Sequence, residues 1–144
     1  MADAPDAQAL RARIAASFDR QGLMTTLGAT LAAVAPGEVR IELPYGPGVT
    51  QQLGYFHAGA TSAIADSAGG YAALTLMPEG TEVLTVEYKI NLTAPAVGEH
   101  LDAIGTVLKS GRTLSVVRFE VVAVTGDDRT TVALGQQTLI RIGG

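Results

Sequence analysis

His57-Ala58-Gly59-Ala60-Thr61-Ser62-Ala63-Ile64-Ala65-Asp66-Ser67-Ala68-Gly69-Gly70-Tyr71-Ala72-Ala73-Leu74 reads as one long helix that carries a single acid. With Asp66 set at zero and about 100° added per residue, Gly59, Ser62, Ala63, Gly69, Gly70, Ala73 and Met77 gather around it, while His57, Ile64, Ala68, Tyr71 and Thr75 fall opposite. The acid therefore sits among small side chains. Such side chains let a second backbone come close, so the helix is expected to be wrapped by a sheet or pressed against another subunit. A carboxylate held on that face gives up part of its water.

Outward from this helix the chain is punctuated clearly. Upstream, Pro44-Tyr45-Gly46-Pro47-Gly48-Val49-Thr50 breaks any strand and predicts a loop that carries the chain to the helix; downstream, Pro78-Glu79-Gly80 stops it. Residues 82–92 alternate, with Leu84, Val86, Tyr88, Ile90 and Leu92 on one face and Thr85, Glu87, Lys89 and Asn91 on the other. Three more strands are predicted at 101–108, 113–124 and 131–142. They are separated by short stretches of turn residues at 94–98, 110–112 and 126–128, so neighbours should pair antiparallel. Near the start, residues 26–34 and 38–43 flank Ala35-Pro36-Gly37 and read as a hairpin. Before them, Ala7, Leu10, Ile14 and Phe18 recur at helical spacing over residues 6–21, with Asp6 to cap the helix and Gly22 to end it. The order helix, hairpin, long helix, four strands predicts an α+β architecture in which one antiparallel sheet curls around one central helix.

Composition narrows the function classes. At 144 residues, without repeats or a low-complexity linker, a single domain is expected: a lead and helix over 1–22, with residues 1–5 disordered, and the main fold over 23–144. Zero cysteines exclude a disulfide framework and a thiolate zinc site, and two histidines leave little for other metal centres, so no metal is expected. A formal charge of -4 with no basic run argues against nucleic acid or an anionic membrane as partner. No apolar run reaches the roughly 18 residues of a spanning helix. Residues 1–5 lack the pattern of a signal peptide, and a cytoplasmic location is the expectation.

Three blocks, QQLGYFHAG at 51–59, ADSAGGYAA at 65–73 and LTVEYKINLTAPAVG at 84–98, resemble the PaaI-like branch of the hotdog-fold thioesterases, within the 4-hydroxybenzoyl-CoA thioesterase superfamily. The resemblance covers about residues 27–142. It implies a hotdog fold, hydrolysis of acyl-CoA thioesters with CoA as part of the substrate and no separate cofactor, and homo-oligomers, dimers or dimers of dimers, whose sites are shared between subunits. It also implies roles. Asp66, nine positions after His57, matches the family's catalytic carboxylate; Ala58 stands where the family's His-Gly-Gly motif donates a backbone N–H to the oxyanion. Gln51 falls where relatives carry Asn or Gln, Thr85 matches a Ser or Thr that positions water, and Lys109, Ser110, Gly111, Arg112 and Thr113 resemble the segment that meets CoA.

The residues themselves support parts of this picture. If the helix begins just after His57, the N–H groups of Ala58 and Gly59 lie at its positive end, where first-turn donors have no partner inside the helix, and can hold a developing oxyanion. Asp66 can serve as general base for water or as nucleophile through an anhydride; the competing reading is a solvated acid on a long helix. His57 is expected to support the helix start rather than move a proton. Gln51 reads equally as a polar loop residue, and the basic turn at 109–113 as an ordinary hairpin with solvated charges. Thr85 lies on the polar side of its strand, so it reaches Asp66 only across a subunit boundary or if the strand bends at its start. Two rival functions stay open: a module that binds acyl-CoA without cleaving it, and a hotdog hydratase or dehydratase, against which counts the placement of His57 nearly half a turn away from Asp66 around the helix.

Overall fold

The computed structural model describes residues 4–144, with side chains from residue 6 onward. Chain order is α1 (Ala4–Phe18), α2 (Gly22–Leu27), β1 (Thr30–Ala35), β2 (Glu38–Pro44), a short 3-10 turn (Pro47–Val49), α3 (Ala58–Leu74), β3 (Glu82–Leu92), β4 (His100–Ser110), β5 (Leu114–Thr125) and β6 (Asp128–Ile142). All six strands form one antiparallel sheet in the order β1-β2-β4-β5-β6-β3, and it wraps α3. This is the α+β hotdog fold. The disordered lead expected at residues 1–5 lies outside the described residues, apart from Ala4 and Pro5, which already belong to α1.

The closeness of helix and sheet follows from glycine on both sides. A Cβ on Gly105 of β4 would stand 2.5 Å from the backbone carbonyl of Ala68 and 2.6 Å from the Cα of Gly69, so β4 could not carry a side chain there without the helix lifting away, while a Cβ on Gly69 would meet the side chains of Gln137 and Val117. Ile64, Ala65, Ala68 and Ala72 are fully buried around that contact, together with Val39, Ile41, Leu101 and Val117 from the sheet. At the other end of α3, Ile14 and Phe18 dock α1 onto the core, and the Arg13 guanidinium donates to the carbonyls of Leu74 and Met77 at 3.0 Å each. A cation there meets the negative end of the helix dipole and the carbonyls its last turn leaves without partners.

Three local readings are corrected. The first helix stops at Phe18 rather than at 21, and Gly22 opens a helix that sequence pattern did not reveal. That helix ends at Gly28, whose φ of 79° suits glycine, so β1 begins only at Thr30. The third correction concerns β3. Its pairing with β6 slips between Thr85 and Glu87, a bulge that inserts one residue. Before the bulge Thr85 lies opposite the buried Leu139 on the inner face; after it Tyr88 lies opposite the buried Gln137. Leu84 and Val86 consequently face outward, 56% and 52% exposed, although alternation alone put them inside. β3 is also an edge strand, with one side of its backbone ladder free.

Candidate active site

Asp66 projects from the middle of α3 toward the inner faces of β3 and β6. Thr85 Oγ1 donates to Asp66 Oδ1 at 2.7 Å within the same chain, which the inward turn of Thr85 before the bulge makes possible. Gln137 Nε2 donates to the same Oδ1 at 3.0 Å and to the Asp66 backbone carbonyl at 3.3 Å, and it lies 3.4 Å from Thr85 Oγ1. Asp66 is half-buried, and no Lys, Arg or His pairs with it among the described residues. The carboxylate borders a cleft of about 430 Å³, open at the edge of β3 and walled by Gly70, Tyr71, Leu74 and Leu139. On its far side Gln21 Nε2 donates to Tyr71 Oη at 3.0 Å, and Ser67 Oγ donates to Gln21 Oε1 at 3.1 Å, so the link between α1 and α2 closes the cleft through polar contacts.

The start of α3 borders a different cleft, of about 460 Å³, lined by Gln51, Tyr55, Ala58, Leu92 and Thr93 among others, none of which touches the first. His57 is the N-cap residue. Its Nδ1 accepts the N–H of Gly59 at 2.7 Å, so the expectation of two free amides is corrected: the Gly59 donor is engaged by the cap, and that of Ala58 finds no acceptor among the described residues. Gln51 Oε1 accepts from the backbone N–H groups of Leu53 and Tyr55, which shapes the loop before the helix. Ala58 and Asp66 are eight residues apart on one helix, which at a rise of about 1.5 Å per residue is about 12 Å. A single carbonyl cannot touch both within one chain.

Residues 109–113 form the tip of the β4–β5 hairpin, with Lys109, Arg112 and Thr113 exposed. Gly111 N–H donates to Leu114 O at 2.9 Å and a Cβ there would collide with that oxygen, so the glycine is explained by the turn. The tip lies at the end of the sheet nearer Thr85, since Ser115 and Thr85 both register with Leu139, but it lines neither cleft.

Gln137 was not anticipated. It is fully buried, its Oε1 has no hydrogen-bond partner, and a Cβ on Gly69 would overlap that oxygen. Leaving a buried carbonyl without a donor costs about 1–3 kcal/mol. Among the described residues, Glu42, His100 and Asp102 are one group with the side chains of a metal centre. Arg40 and Arg129 stand 3.6 and 3.4 Å from Asp102 Oδ2, already balance the two carboxylates, and would repel a cation, so the group suits an ion-pair network better than a metal.

Comparison with known proteins bears on the family and the fold. The sequence profile of the thioesterase superfamily matches residues 53–130. Human acyl-coenzyme A thioesterase 13 is 31% identical over 131 residues, 90% of this chain and 87% of that protein. A thioesterase family protein from Silicibacter pomeroyi superposes with a TM-score of 0.90 at 41% identity, covering 94% of this chain and 99% of that one. The E. coli PaaI protein from the phenylacetic acid degradation operon shares the fold, with a TM-score of 0.82 at 21% identity over 96% and 95% of the two chains. The chain belongs to the thioesterase superfamily, has the hotdog fold, and is a thioester hydrolase. No helix among the described residues is long and apolar enough to cross a membrane.

Proposed function

We propose that the protein hydrolyses acyl-CoA thioesters, with an aryl or medium-chain acyl group, at a site assembled from two copies of the chain. The observation that carries this reading is the separation of the two clefts: a hydrogen-bonded acid borders one, a helix-start amide without acceptor borders the other, and they lie about 12 Å apart along α3. The free edge of β3 supplies a way to join them. If β3 pairs antiparallel with β3 of a second copy about its middle, residue 82 of one copy comes opposite residue 92 of the other. The cleft bordered by Val83, Leu84 and Thr85 then meets the partner copy's cleft bordered by Leu92 and Thr93.

In such a site the thioester carbonyl accepts the N–H of Ala58 from one copy, at the positive end of α3, while Asp66 of the other approaches the carbonyl carbon. Asp66 takes a proton from the attacking water, or adds directly to form an anhydride that water then opens. Collapse of the tetrahedral intermediate breaks the C–S bond; the thiolate leaves and takes up a proton, so R-CO-S-CoA and water give the acid and free CoA. Tyr71, Leu74 and Leu139 offer the acyl group an apolar wall. The engagement of His57 by Gly59, outside the cleft that Asp66 borders, counts against a hydratase, and the lack of a cationic partner for Asp66 among the described residues counts against a binding module. The test is release of free thiol from a panel of acyl-CoAs. Asp66→Asn should lower kcat by about 10²-fold or more, as expected for a lost base or nucleophile; unchanged turnover would remove Asp66 from the mechanism.

A further inference from the structure

We propose that Gln137 is a positioning residue for the reaction: it fixes which oxygen of Asp66 is free to react. The inference rests on the reading of Asp66 as the reactive acid. Gln137 stands on the inward face of β6 between Gly135 and Leu139, fully buried. Its amide has one acceptable orientation. The Asp66 carboxylate and the Asp66 backbone carbonyl are both acceptors, so the nitrogen must face them, and Oε1 is left against Gly69 with no donor.

Two consequences follow at the reacting group. Thr85 and Gln137 both donate to Oδ1, which leaves Oδ2 as the oxygen that can turn to a substrate or a water. Gln137 also lies 3.4 Å from Thr85 Oγ1; with an N–H directed at its lone pairs, that hydroxyl commits its single proton to Asp66. The two hydrogens of Nε2 serve three acceptors, one of which belongs to the backbone of α3, so the carboxylate is tied to the helix and to two strands at once. A leucine or methionine would fill the same volume without the orphaned carbonyl. Glutamine at this position is therefore unfavourable for packing and is accounted for by what its nitrogen does at Asp66.

Gln137→Leu, Gln137→Met, Asp66→Asn and the double variant Asp66→Asn/Gln137→Leu are compared by thiol release and thermal melting. The expected result for each Gln137 variant is a kcat lower by about 10- to 100-fold, the scale of a reacting group misplaced by an ångström, with KM within about twofold and no drop in Tm. The double variant should be no slower than Asp66→Asn alone, because Gln137 acts through Asp66. Wild-type kcat in both Gln137 variants, with Asp66→Asn inactive, overturns the inference and leaves the hydrolase reading standing. So does a loss that tracks a lower Tm, or that repeats in full on top of Asp66→Asn, since either marks a packing role. Full activity of Asp66→Asn defeats the reading on which the inference rests.

Discussion

The two clefts along α3 are built on opposite plans. Around Asp66 every polar contact is made between regular elements: Thr85 from β3 and Gln137 from β6 bond an acid on the helix, and the glycine contact at Gly105 holds that helix to the sheet. Around Ala58 the wall is mostly loop; Gln51 and His57 spend their acceptors on neighbouring backbone amides, and Ala58 itself is exposed. One cleft has a fixed acid, the other a helix-start amide without acceptor and no acid. On the proposed reading each is half of a site, and rigidity lies on the half that would handle a proton.

Breaking the amide half should have the largest effect after loss of Asp66. Ala58 is the first helical residue, a position where proline is tolerated because its N–H has no helix partner, and His57 already holds the extended conformation (φ -68°, ψ 140°) that precedes proline comfortably. Ala58→Pro should therefore fold normally, keep its melting temperature, and lose kcat by about 10²-fold, the scale of one oxyanion donor. Loosening the rigid half comes next. Gly105→Ala drives a methyl into the backbone of Ala68 and should lower stability by about 1–3 kcal/mol in a denaturant titration, with activity falling as the Asp66 row shifts. The smallest effect belongs to the basic hairpin tip outside both clefts. Arg112→Ala should leave kcat unchanged and raise KM for acyl-CoA by about two- to fivefold, less so at high salt, as suits an exposed charge meeting phosphate.

Much of this comparison could be read from sequence. The long helix and its acid, the four strands after it and the proline- and glycine-rich loop before it all follow from periodicity and turn residues, and the structure places them within a few positions. The bulge in β3 could not be read. Leu84, Val86, Tyr88, Ile90 and Leu92 keep a perfect alternation in sequence, and an inserted residue leaves that alternation intact while reversing the face it describes. Thr85 was for that reason assigned to the wrong side of its strand, although a bend at the strand start was one of two ways left for it to reach Asp66. Helix α2 was hidden because its six residues make fewer than two turns, too few for a repeat to show. Gln137 did leave a signal. Ala133, Gly135 and Leu139 share its side of β6, and a lone glutamine among inward apolar positions asks for a partner; Gly69 on the helix facing it is the complementary gap. Where a second chain would complete the site, one sequence carries both halves without saying that they belong to different copies.

The division of the site between copies is tested most directly by complementation. Asp66→Asn and Ala58→Pro chains, co-expressed with different tags and purified through both, pair a chain with an intact amide and a chain with an intact acid. The account predicts one whole site in each mixed dimer, and a recovery of about half of wild-type turnover from two nearly inactive parents. Mixed dimers no more active than the mean of the two parents would contradict it and return both halves to a single chain.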